Sequence, residues 1–78
     1  MKHNGLNTRM KSLVTDLVSL GLTLEQARQE FEKQYIAASI RTHGGNLGRS
    51  ARALGIHRNT LRNKVSKLDI DPADGSQR

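Results

Sequence analysis

Apolar residues recur along the first third of the chain at Met10, Leu13, Val14, Leu17 and Val18. This is the i, i+3, i+4, i+7, i+8 spacing of one stripe on an amphipathic helix. Asn7 or Thr8 can cap that helix, and Leu20-Gly21-Leu22 ends it, with Gly21 as the left-handed stop. Thr23 and Gln26 have the spacing of a capping box, so a second helix begins at about Leu24. Its stripe runs Leu24, Ala27, Phe31, Tyr35, Ala38 in steps of three and four, and a second apolar face opens with Ile36, Ala37 and Ile40. A helix apolar on two sides needs two neighbours to cover it. His43-Gly44-Gly45 closes it.

The pattern then tightens. Asn46 stands where an N-cap would stand, and Leu47, Ala51 and Leu54 fall at i, i+4, i+7. Gly55 supplies the left-handed end and Ile56 an apolar plug inside the turn. A fourth helix begins near Arg58, with Leu61, Val65 and Leu68 on its inner side. Two short helices joined by a tight turn, with matching inner stripes, make a helix-turn-helix. Rotations of about 100° per residue place Arg58, Arg62, Asn59, Ser66 and Asn63 in one arc away from Leu61. That arc has the hydrogen-bonding and cationic groups needed to read base edges and hold phosphates. His57 takes the N-cap position of this helix, where its imidazole either packs over the turn or meets a base edge or phosphate.

Charge sharpens the reading. Residues 41–68 contain seven bases (Arg41, Arg49, Arg52, Arg58, Arg62, Lys64, Lys67) and no acid, whereas the first forty hold five bases against four acids. The excess on the helix-turn-helix would collect a polyanion.

In Gly44-Gly45-Asn46, Ala51-Arg52-Ala53-Leu54-Gly55-Ile56 and Arg58-Asn59-Thr60-Leu61-Arg62, the chain resembles the DNA-binding domain of the factor for inversion stimulation (Fis) family. The same domain closes many bacterial enhancer-binding activators. Phe31-Glu32-Lys33-Gln34-Tyr35-Ile36-Ala37-Ala38 is similar to the helix that precedes the motif in that family, and the likeness covers Leu24 to Leu68. Position for position, the resemblance implies that Arg58 reads a base, and its fork suits guanine O6 and N7. It implies that Thr60, Arg62, Asn63 and Lys64 hold the DNA backbone. Asn46 and Gly48 would meet a phosphate at the start of the third helix, with Arg49 on its outer side. DNA bending by paired recognition helices is also implied.

With 78 residues and Phe31 and Tyr35 as the aromatic residues, one chain can build only a small core. The five large apolar residues from Met10 to Val18 have only the early part of the second helix for cover within the chain. Two copies pairing their first two helices would bury them, with Phe31, and the resemblance implies the same. The expected fold is therefore all-α, four helices per subunit, an intertwined homodimer with a C-terminal helix-turn-helix. Residues 1–7 read as a flexible tail, 8–43 as the two-helix dimerisation region, 44–68 as the DNA-binding region, and 69–78 as a flexible acidic tail.

The chain reads as a sequence-selective, double-stranded-DNA-binding transcriptional regulator or nucleoid-associated protein of the bacterial cytoplasm. Two alternatives stand beside that: the isolated DNA-binding domain of a larger activator, or a dimeric interaction module that binds an acidic protein or RNA. There is no cysteine. His3, His43 and His57 lack paired metal-ligand spacing. Gly44–Ser50 lacks the Lys-Ser/Thr ending of a phosphate loop. No enzyme activity, cofactor, metal, membrane segment or small-molecule ligand is expected.

Overall fold

The computed structural model describes residues 2–70. They form four helices: α1 (Lys2–Ser19), α2 (Leu24–Thr42), α3 (Leu47–Leu54) and α4 (Arg58–Lys67). Among the described residues there is no strand.

The caps follow from local chemistry. The Thr23 hydroxyl accepts from the Gln26 N–H at 3.1 Å, and the Gln26 amide oxygen accepts from the Thr23 N–H at 2.9 Å. Two first-turn donors of α2 are thereby satisfied. Asn46 Oδ1 accepts from the Arg49 N–H at 2.9 Å and caps α3. At the end of α3, Gly55 takes φ 74°. The Gly55 N–H then reaches Arg52 O at 3.1 Å and the Ile56 N–H reaches Ala51 O at 3.0 Å, the paired closure of a Schellman motif. Gly21, at φ 78°, turns α1 into the link to α2.

The two ends of the chain differ from the sequence reading. Helix α1 starts at Lys2, not at Asn7 or Thr8, so residues 2–7 are helical rather than a tail. No proline interrupts them, Gly5 costs a helix only about 1 kcal/mol, and each added residue needs one more hydrogen bond but no new nucleus. Leu6 thereby joins the Met10 and Leu13 stripe one turn earlier. At the other end, residues 69–70 are part of the fold. Asp69 adopts φ 58°, its N–H reaches Ser66 O, and the Ile70 N–H reaches Val65 O at 2.9 Å. This repeats the closure of α3 with Asp in place of Gly and swings Ile70 into the core. The acidic tail expected beyond it falls outside the described residues.

Ile36, Ile40, Ala51, Leu61, Val65 and Ile70 make the buried cluster, with Ala37, Leu47, Leu54, Ile56 and Leu68 packed on it. The second apolar face of α2 is thus the third wall of the helix-turn-helix. Ser50 is also buried, and its hydroxyl donates to Asn46 O at 2.8 Å. Helix α1 lies outside this cluster. Its Leu13 is 47% and its Val18 71% exposed, and on the facing part of α2 Leu24 is 87% exposed. Phe31 and Tyr35 stack with ring centroids 5.5 Å apart and stay largely exposed. A groove of about 500 Å³ runs between α1 and α2, lined by Met10, Leu13, Val14, Leu17, Val18 and Phe31 among others.

Candidate nucleic-acid interface

Helix α4 is held by Leu61, fully buried, and Val65, nearly so. Fixing these two side chains inward fixes what the rest of the helix presents. Arg58, Asn59, Arg62, Asn63 and Ser66 are all exposed, as the rotation per residue requires. Thr60 and Lys67 are exposed beside that arc. His57 has the extended backbone of an N-cap (φ −71°, ψ 148°), yet its imidazole makes no capping hydrogen bond. The ring is exposed at the helix's leading end.

Helix α3 packs against α4 and against α2. At its start Asn46 Oδ1 is engaged by the Arg49 N–H, so the side-chain amide nitrogen is the group left to donate outward. Gly48 is half-buried in the first turn, where backbone N–H groups lack intrahelical acceptors. Arg49 and Arg52 are exposed.

The electrostatics follow from which partners are missing. Neither α3 nor α4 has an acid in its first turn, so the positive end of each helix is uncompensated. The side chains of Arg49, Arg52, Arg58, Arg62 and Lys67 make no ion pair or hydrogen bond among the described residues. Lys64 differs from them. Its ammonium donates to Glu32 of α2 at 3.1 Å, and it is half-buried. The sequence reading placed Lys64 among the backbone contacts without seeing this partner. Glu32 and Lys64 are 32 positions apart, and no local pattern links them.

The acids of α2 border the end of this surface, where Glu25 and Glu32 line one cleft with Lys64 and Lys67. Arg28 bonds to Glu25 and to Glu32, and its hydrogen bonding holds the Glu25 carboxyl below the ordinary glutamate range. Among the described residues, no group of His, Asp and Glu side chains could hold a metal ion, and no helix is long and apolar enough to cross a membrane.

Residues 27–68 match the family described as bacterial regulatory protein, Fis family. Over 51 residues, 65% of this chain, the sequence is 41% identical to the nitrogen assimilation regulatory protein NtrX of Azorhizobium caulinodans. The matched stretch spans 11% of NtrX. No solved structure matches the chain significantly.

Proposed function

We propose that this chain, which belongs to the Fis family of bacterial regulatory proteins, binds duplex DNA as a homodimer and acts in transcriptional regulation. The observation that carries the proposal is the face built by α3 and α4. Among the described residues, five arginine and lysine side chains there make no ion pair, no acid interrupts residues 41–68, and two helix N-termini lack an acid in their first turns. A surface whose cations have no counter-charge favours a partner that supplies one, and the phosphate backbone supplies it at regular spacing.

In this reading α4 is the recognition helix. Arg58, at its first turn, offers a bidentate fork to a guanine edge, and His57 reaches the same groove from the N-cap. Thr60, Arg62 and Asn63 hold phosphates along one wall. The Asn46 amide, the Gly48 N–H and Arg49 take a phosphate at the start of α3. The uncovered stripe on α1, with Phe31 of α2, pairs with its equivalent on a second copy, which gives two recognition helices and a two-fold-related DNA site.

One further reading has an observation behind it. Because the chain corresponds to only 11% of NtrX, the same unit also fits as the DNA-binding segment of a longer regulator. Its chemistry toward DNA is then unchanged.

The test is a fluorescence-anisotropy titration against random duplex DNA, single-stranded RNA and an acidic protein at two salt concentrations. Duplex DNA is expected to bind most tightly, with affinity falling steeply as salt rises. Tighter binding of the RNA or the acidic protein would overturn the DNA reading in favour of an interaction module.

A further inference from the structure

A run of alternating charge climbs α2 and crosses to α4, and contact with DNA does not account for it. Arg28 bridges Glu25 and Glu32 along one face of α2. Glu32 Oε2 takes Arg28 at 3.1 Å and its Oε1 takes the Lys64 ammonium at 3.1 Å. The Glu32 carboxylate therefore sits between two cations from two helices. The Lys64 and Glu32 side chains are only 34% and 31% exposed, so the pair is shielded from full solvent screening. The position of Lys64 on its helix explains the contact. It comes three residues after buried Leu61 and one before buried Val65, at the margin of the inward stripe rather than in the exposed arc.

Resting on the DNA reading above, we infer that Glu32 is a positioning residue for DNA binding and that Lys64 acts through it. The pair fixes the later half of α4 on α2 and so sets how the Arg58 end is presented. Lys64 then contributes no phosphate contact, because its charge is already neutralised inside the protein. Buried Leu61 and Val65 set which side of α4 turns inward, and the ion pair at the margin of that stripe adds a restraint on its roll.

The experiment is a double-mutant cycle on the whole chain with neutral replacements of similar shape, Lys64→Met and Glu32→Gln. Each variant and the double are titrated on a selected site and on random duplex at several salt concentrations, and each is melted. Either single change is expected to weaken selected-site binding about two- to five-fold, with a smaller loss on random duplex. The double is expected to lose no more than one single, and the slope of log K against log salt should match the wild type in all three. If Lys64→Met makes the slope shallower by about 0.9 per subunit, Lys64 is a phosphate contact and the inference is wrong. Additive losses, or equal losses on both duplexes tracking a lowered melting point, also overturn it. A wild type that binds no duplex DNA overturns the functional proposal itself. A wild type that binds, with any of the other contrary results, overturns only this assignment.

Discussion

Val18→Asp puts a carboxylate at the C-terminal end of the uncovered stripe without touching the core. In the single subunit Val18 is 71% exposed, so the change leaves the cluster from Ile36 to Ile70 intact. In the proposed dimer the same position is buried twice. Full burial of an apolar side chain is worth about 1.5–3 kcal/mol, so covering the exposed part of Val18 contributes about 1–2 kcal/mol per copy. Two copies lose about 2–4 kcal/mol, before the larger cost of desolvating two carboxylates in an apolar contact. A dimer with micromolar dissociation should weaken at least about 100-fold. The exposed fractions of Met10, Leu13, Val14, Val18 and Phe31 amount to about two and a half side chains per subunit. That is about 8–15 kcal/mol for the pair, enough to offset an association cost at the lower end of its range. Sedimentation at micromolar concentration should show wild type at twice the chain mass and Val18→Asp at the chain mass, with equal helicity by circular dichroism. A well-folded monomeric wild type, or a variant that sediments as the wild type does, refutes the reasoning.

Four further outcomes are expected. Arg58→Ala should reduce selected-site affinity by a factor corresponding to about 1–3 kcal/mol while barely changing random-duplex binding, as parallel titrations would show. Arg62→Ala should weaken both duplexes similarly and make the salt slope shallower by about 0.9 per subunit, read from titrations across salt. Asp69→Gly relieves a left-handed Asp at φ 58° and should stabilise the protein by about 0.5–1 kcal/mol, raising the thermal midpoint by about 3–6 °C. Because the Glu25 carboxyl is held low chiefly by its hydrogen bond to Arg28, that bond stabilises the fold above the ordinary glutamate range. The stabilisation is lost as pH falls through the depressed value. Carboxyl NMR should show the Glu25 midpoint rising toward the ordinary range in Arg28→Ala.

What could be read in advance was what a few neighbouring residues decide. The Thr23 and Gln26 box, the Asn46 cap, the Gly55 turn with its Ile56 plug and the inward Leu61 and Val65 stripe all act within one or two helical turns. The two faces of α2 were also legible, though only the Ile36 and Ile40 face finds cover within the chain. The start of α1 was missed because the first six residues carry no apolar periodicity, whereas extending a helix already begun needs none. The closure at Asp69-Ile70 was missed because Asp in the left-handed region is uncommon and the acids beyond it read as tail. Yet the signal was present: an apolar residue follows the helix end at Ile70 just as Ile56 follows α3. The Lys64 to Glu32 pair could not be read locally, because only the folding of α2, α3 and α4 around one core brings residues so distant together.

Every member of the buried cluster lies between Ile36 and Ile70, and this has a consequence in time. Contacts that close short loops form quickly, and a small helical unit of this kind folds in microseconds to milliseconds. Encounter between two chains at micromolar concentration is slower, since docking of specific patches proceeds at roughly 10⁵–10⁷ M⁻¹s⁻¹. In the proposed homodimer the recognition unit is then complete before its partner arrives, and assembly would join two finished heads by two unfinished stems. For that interval each newly made chain carries an oily helix in water. Dilution would prolong the interval, and crowding with other nascent apolar chains would make it hazardous.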